Sequence, residues 1–235
     1  MKKRFGLLLF SGALILGLVV SNVFSFLSVK DSFTSGFSFE FGGKKGSGNV
    51  VKEVRDLRGF KAIDVGGVFQ VEVVANKDFF VEVETDDNLL PYVKTHTRGS
   101  TLHIESDKKL SPTQSIRIRI SAPDITDLEV SGAANVAITE LKNEGIKVDA
   151  SGASKIKLAG ETAKVLVDVS GATSVDAEGL KAVNATVEAS GASHVDVNVS
   201  GALRAEATGA SKVRYSGSPT SVEKDASGAG SVSPR

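Results

Sequence analysis

The chain of 235 residues contains no cysteine. This absence excludes disulfides, thiolate zinc sites, iron–sulfur clusters and cysteine nucleophiles. Tryptophan is also absent, and the only histidines are His96, His103 and His194, which argues against a histidine-based metal or catalytic centre. The 28 basic and 28 acidic residues cancel. A general nucleic-acid binder needs a basic surplus, so we expect no nucleic-acid partner.

The N-terminus has the pattern of an export or membrane segment. Lys2, Lys3 and Arg4 precede an uncharged run of 25 residues, 5–29. This run is longer than the roughly 20 residues that span a bilayer, and longer than the roughly 7–15 of a signal-peptide core. Residues 1–29 are therefore predicted to be a signal peptide or a signal-anchor helix. Both place the rest of the chain outside the cytoplasm, in the periplasm or at the cell surface, because the basic cluster stays inside.

The next segment, 30–50, has a different composition. It contains Phe33, Phe37, Phe39 and Phe41 separated by small and polar residues, followed by a stretch rich in Gly, Ser and Lys. The second stretch is typical of a flexible linker. The alternating phenylalanines fit either one strand or a membrane-proximal apolar stretch. The absence of cysteine excludes lipidation, so membrane attachment would depend on residues 5–29.

Residues 51–130 form a region of predicted β-strands. Apolar and polar residues alternate in 68–73, 80–84, 101–105 and 115–120, as in half-buried strands. Turn residues at 76–78 predict that the first two of these strands form a hairpin. The segment 87–93 is the one place that favours a helical turn, and Pro91 limits its length.

The remaining residues, 131–235, are an internal repeat. A Ser/Thr-Gly-Ala triplet recurs at spacings of 20, 19, 20, 18 and 19, beginning at Ser131, Ser151, Ser170, Ser190, Thr208 and Ser227. Five residues after each start lies an aliphatic side chain, namely Val136, Ile156, Val175, Val195, Val213 and Val232. One copy is too small to bury a face alone, whereas stacked copies share a continuous core. We therefore predict an all-β parallel β-helix or β-solenoid with coils of about 19 residues, preceded by an antiparallel-like strand region.

The glycines of the triplets are predicted to be structural. They are Gly132, Gly152, Gly171, Gly191, Gly209 and Gly228, and they suit a tight corner with a backbone angle that other residues reach poorly.

A second column, two residues before each triplet, is wholly acidic and is predicted to face outward. Its members are Glu129, Asp149, Asp168, Glu188, Glu206 and Asp225. In-register stacking would place these carboxylates about 5 Å apart, where like charges repel by roughly 1 kcal/mol in water. We interpret the column as a solvated ladder with local salt bridges. The alternative is a strip that binds a cation such as calcium, although the Gly-rich calcium repeat of β-rolls is absent.

The segment 60–71 and the Ser-Gly-Ala-Ser-x-Val units at 151–156 and 190–195 carry a family resemblance. Together with the proline-containing link 120–125, they resemble the bacterial auto-transporter adhesin, head GIN domain family, over about residues 58–217. The resemblance implies an exported, β-helical, non-catalytic domain without a cofactor.

Three functions follow as hypotheses. The first is an envelope module whose rigid surface binds a protein or polysaccharide, for adhesion or scaffolding. The second is a polysaccharide lyase or glycosidase, a chemistry that needs paired carboxylates and for which Asp176 and Asp196 are the candidates. The third is a self-associating, membrane-bound scaffold. The short turns offer no long insertion to build a catalytic cleft, which favours the first.

Overall fold

A computed structural model of the chain describes residues 42–235. The predicted signal or anchor segment and residues 30–41 of the predicted linker lie outside that range. Residues 42–235 contain no helix long and apolar enough to cross a membrane. Their helical structure is a single 3₁₀ turn at Leu90–Tyr92, inside the segment 87–93 that the sequence singles out.

The rest of the secondary structure is β. In chain order the strands are β1 Lys44–Lys45, β2 Val50–Val54, β3 Ala62–Gly67, β4 Gln70–Val74, β5 Phe80–Asp86, β6 Val93–Arg98, β7 Thr101–Ser106, β8 Leu110–Ser111, β9 Arg117–Ser121, β10 Asp127–Gly132, β11 Asn135–Asn143, β12 Ile146–Ala150, β13 Lys155–Val169, β14 Ser174–Ala189, β15 His194–Val199, β16 Ala202–Ala207, β17 Lys212–Gly217, β18 Ser221–Ala226 and β19 Ser231–Pro234.

The repeat winds into a parallel β-solenoid, as the sequence predicts. We call its two broad sides face A and face B. Face A is formed by β3, β10, β12, the second halves of β13 and β14, β16 and β18, each in parallel register with the next. Face B is formed by β4, β11, the first halves of β13 and β14, β15, β17 and β19. A shorter third side, 141–143, 160–162, 180–182 and 198–199, returns the chain to face A.

The core is a set of aliphatic rows. Val136, Ile156, Val175 and Val195 are register partners in consecutive coils, and none is more than 2% exposed. The prediction of one buried row is thus confirmed. Each buried side chain of this size contributes roughly 1.5–3 kcal/mol of transfer free energy, and the register places like side chains over like in consecutive coils.

The corner between the two faces is built on the triplet glycines. Gly152 has φ +91, and a Cβ atom placed on it would lie 2.3 Å from the carbonyl oxygen of Gly132 in the preceding coil. That same carbonyl accepts a hydrogen bond of 2.8 Å from the Ala153 amide. The glycine is therefore required twice, for its backbone angle and for the close approach of the next coil.

The solenoid begins earlier than the repeat. Gly66 and Gly67 are register partners of Ser131 and Gly132, so β3 and β4 form a coil with the same corner. Residues 75–122 are an insertion between this coil and the next, and they cover its free end. Within the insertion, β7 adds in parallel to β3 and β9 adds in parallel to β4.

The antiparallel strands of the insertion lie outside these two. β6 pairs with β7, and β5 pairs with both β9 and β2. The predicted hairpin of 68–73 with 80–84 is wrong, because β9 lies between β4 and β5. The antiparallel-like region is thus a cap on parallel coils rather than a separate sheet.

The end of the predicted linker is ordered. Lys44 and Lys45 pair in parallel with Leu110 and Ser111, and residues 50–54 form β2. Asp86, which is 1% exposed, fastens this stretch by accepting hydrogen bonds from the Gly48 amide and from the Thr113 amide and hydroxyl. Burial opposes ionisation of Asp86, but these bonds outweigh it and hold its pKa below the usual range.

Replacing Gly152 with valine is expected to destabilise the coil by about 3 kcal/mol or more. The positive φ alone costs a residue with a Cβ about 1–3 kcal/mol, and the contact with the Gly132 carbonyl adds to it. Urea unfolding followed by circular dichroism measures the difference. Gly145→Ala is the control, because a Cβ there lies 3.5 Å from its nearest neighbour. A Gly152→Val variant as stable as the wild type would contradict the corner geometry.

Candidate binding surfaces

The outer column of face A is a continuous row of carboxylates. Register pairs link its six predicted members coil by coil, Glu129 with Asp149, and so on to Glu206 with Asp225. The row has a seventh member, Asp64, which pairs with Glu129. At a strand separation of about 4.8 Å, six steps from Asp64 to Asp225 span about 29 Å. We call these seven side chains the acidic row.

The row is only partly neutralised. Lys147 lies 2.8 Å from Asp149, and this hydrogen bond raises the pKa of the lysine. At its capped end, Asp64 lies 2.8 Å from Nδ1 of His103, which stacks on His96 with ring centroids 5.1 Å apart. The other five members, Glu129, Asp168, Glu188, Glu206 and Asp225, have no ion-pair partner among residues 42–235, unlike Asp64 and Asp149. Like charges directly opposite one another destabilise a sheet, so the row stores repulsion.

The geometry does not favour the cation interpretation of the row. Its members follow one another in single file, and in the part of the chain that the structure describes no three His, Asp or Glu side chains converge in the manner of a metal site. Calcium prefers six to eight oxygen ligands around one point. A column with one carboxylate per coil supplies them along a line instead.

Face B carries a different electrostatic arrangement, in which opposite charges are paired. Asp196 is 8% exposed and accepts two bonds of 2.7 Å from the guanidinium of Arg214 in the next coil. His194 lies 3.1 Å from the same carboxylate. Burial disfavours the charged form of Asp196, but the bonds from Arg214 and the nearby His194 outweigh it and lower its pKa.

The capped end of face B has a second paired network. Arg119 donates to Glu82 and, at 3.0 Å, to Glu84, and Arg117 lies 3.6 Å from Glu84. Lys52 on β2 adds a contact of 3.4 Å to Glu84. These pairs hold the cap strands β2, β5 and β9 together. Arg117 and Arg119 also lie 3.6 and 3.8 Å from Glu72 on β4, which ties the cap to the first coil.

The two candidate catalytic carboxylates lie in adjacent coils but are already engaged. Asp176 and Asp196 are register partners on face B. Lys157 lies 3.7 Å from Asp176, and Arg214 holds Asp196. A glycosidase acid needs a raised pKa, whereas that of Asp196 is lowered. The geometry therefore suits a structural ion pair better than acid catalysis.

Two features escaped sequence reasoning. Asp64 belongs to the acidic row, and the available signal was that it stands two residues before Gly66-Gly67, as the other acids stand before their triplets. The second feature is a row of buried hydroxyls three residues after the start of the four middle triplets: Ser154, Thr173, Ser193 and Ser211. They donate to corner carbonyls, for example Ser193 to Ser190 at 2.6 Å. The signal was the fourth letter of the Ser-Gly-Ala-Ser/Thr units.

Together, the fold and its surfaces define a capped parallel β-solenoid that presents long, regular faces. Comparison with known proteins agrees with this description of the fold. Residues 59–219 match the family model described as "Putative auto-transporter adhesin, head GIN domain". The chain belongs to this family, which confirms the resemblance seen in the sequence. No curated protein matches the chain.

Solved structures show the same fold. A putative adhesin of Bacteroides fragilis superposes with a TM-score of 0.65 at 19% identity, covering 82% of this chain and 100% of that one. A putative adhesin of Parabacteroides merdae gives 0.53 at 18% identity, covering 81% and 98%. One of Parabacteroides distasonis gives 0.51 at 20% identity, covering 82% and 99%. At these identities the likeness concerns the fold.

Replacing Asp168 with asparagine is expected to stabilise the protein by about 0.5–1 kcal/mol at low ionic strength, because it removes repulsion from Asp149 and Glu188 on either side. Added salt should narrow the gain, since screening weakens the repulsion in the wild type. Urea unfolding at low and high salt measures both effects. Glu144→Gln, an exposed change outside the row, should have no such effect. A less stable Asp168→Asn variant would refute the stored repulsion.

Replacing Arg214 with methionine is expected to lower the free energy of unfolding by about 1–3 kcal/mol near neutral pH, because it removes the two guanidinium hydrogen bonds to the nearly buried Asp196 carboxylate. Asp196 has a lowered folded pKa. Its stabilisation is therefore complete above the unfolded value of about 4 and is lost as pH falls through the folded value. The difference between variant and wild type should shrink in acid.

Arg204→Met is the matched control for Arg214→Met. Arg204 pairs with Glu223, but their side chains are 62% and 71% exposed, and such surface pairs contribute little. Urea unfolding of both variants across the pH range separates them. Equal losses of stability for the two variants would show that the Arg214–Asp196 pair contributes no more than an exposed ion pair.

Proposed function

We propose that the protein is an extracytoplasmic, non-catalytic binding module with an adhesin-like role, acting through the broad faces of its solenoid. The observation that carries the proposal is the regularity of those faces. Each coil contributes one residue to each surface row, so the acidic row extends over about 29 Å without interruption. Membership of the auto-transporter adhesin, head GIN domain family supports the proposal, as do the solved structures of the same fold that are named putative adhesins.

The physical argument is one of rigidity and repetition. In-register backbone pairing fixes the spacing of surface groups, so binding costs little ordering of the module itself. A repeated row also offers several equivalent contacts to a repetitive partner, and many weak contacts add to a usable avidity. Cell-surface polymers are repetitive partners of this kind.

Adhesion is tested with the full chain on a panel of immobilised polymers: cationic chitosan, neutral dextran and anionic dextran sulfate. If face A binds, the charge-reversed pair Asp168→Lys and Glu188→Lys should lose the adhesion that the wild type shows. The control Glu144→Lys changes the net charge but not the row, and it should keep binding. No adhesion to any polymer, or equal adhesion of the face A variant and wild type, would refute a role for this face.

Export is the second part of the proposal and rests on the basic N-terminus followed by the uncharged run 5–29. Protease added to spheroplasts of a bacterial host should digest the domain, whereas an internal cytoplasmic marker should survive. The mass of the mature chain then distinguishes a cleaved signal peptide from a retained anchor. Protection of the domain together with the marker would refute export.

A further inference from the structure

A groove runs along the corner between faces A and B at the capped end of the solenoid. Its floor is formed by residues 67–70 and by Ala133 and Asn135 of the next coil, and its wall is formed by residues of the segment 106–116. The cavity has a volume of about 400 Å³, within the range of small-molecule sites. It is separate from the acidic row and from the paired charges around Asp196.

At the groove, the corner of the coil carries larger apolar side chains than the corners of the other coils. Every triplet has alanine after its glycine, whereas the equivalent position here, after Gly67, is Val68. Val68 is 72% exposed. The next residue is Phe69, where the following coil has Ala134. An isolated exposed valine is unremarkable, but this one lines a concave surface.

The opposite wall is also apolar and is held in place. Leu110, Pro112 and Ile116 line it. Asp86 fixes this segment through bonds of 2.9 and 2.7 Å from the Thr113 amide and hydroxyl, and the pairing of β1 with β8 fixes it at Leu110. The groove is therefore formed in advance of ligand binding, which lowers the ordering cost of binding.

The charge of the groove has one sign. Lys109 is the only charged residue among those that line it, and no carboxylate does. The Lys109 side chain is exposed and has no salt-bridge partner among residues 42–235, while its backbone carbonyl is held by the Lys44 amide at 2.8 Å. The other polar lining residues are neutral amides and hydroxyls. An anion is thus favoured beside an apolar surface.

We propose that this groove binds a single-chain anionic amphiphile, of the chemical class of a fatty-acid carboxylate. The alkyl chain would lie against Val68, Leu110 and Ile116, and the carboxylate would pair with Lys109. The volume suits one chain of medium length. The site adds a small-molecule function to the module and does not depend on adhesion by face A.

Calorimetric titration of the full chain with three probes tests the proposal. Decanoate, decanol and decyltrimethylammonium share a chain and differ in head-group charge. The two ions are used below their micelle concentrations, and decanol is used below its solubility limit. We expect decanoate to bind most tightly and the cation most weakly. Lys109→Gln should weaken decanoate about five- to tenfold and leave decanol unchanged. Val68→Asp should abolish the binding of both decanoate and decanol. This variant should still fold, because the Val68 side chain is exposed.

Two matched variants control for binding elsewhere in the chain. Val183→Asp places the same charge at another exposed valine, 49% exposed, and Lys212→Gln removes another exposed lysine. Both should bind decanoate as the wild type does. Absence of decanoate binding, equal affinity for the three head groups, or unchanged binding in Val68→Asp or Lys109→Gln would each overturn the proposal.

Discussion

The structure depends on one constraint, the hydrogen bond that each corner carbonyl accepts from the next coil. The Gly152 carbonyl accepts a hydrogen bond from the Ala172 amide, and the Gly171 carbonyl accepts one from the Ala192 amide, each 2.8 Å long. These bonds require glycine at positive φ and leave no room for a side chain. Because every corner is made in the same way, the register of both faces is fixed with it. Buried rows and surface rows are then consequences of the same alignment.

The solenoid could be predicted from the sequence because the repeat reports the register directly. The spacing of the triplets by itself predicts that Val136, Ile156 and Val175 stack one above another, and they are register partners in the fold. The cap could not be predicted in the same way. Period-two alternation in β4 and β5 is the same for parallel and antiparallel neighbours, and nothing local indicates that β9, from residues 117–121, comes between them.

The surface features were predictable to the extent that they follow the repeat. Six members of the acidic row follow the repeat and could be predicted from it. Asp64 could not, because its coil has glycine in place of the triplet serine and is separated from the next coil by the capping insertion. The Arg214 pair with Asp196 involves side-chain geometry between coils, which spacing cannot show. The groove depends on the wall from residues 106–116, whose position is set by Asp86 across the fold.

A net charge of zero conceals two different arrangements of charge on the two faces. Repetition places acids of one column next to each other on face A, where their repulsion is largely unrelieved, while face B pairs opposite charges from coil to coil. A fold that needed only stability would favour the second arrangement on both faces. The acidic row runs through all seven strands of face A, and the binding role that we propose for this face would set its unrelieved repulsion against contacts with an extended partner.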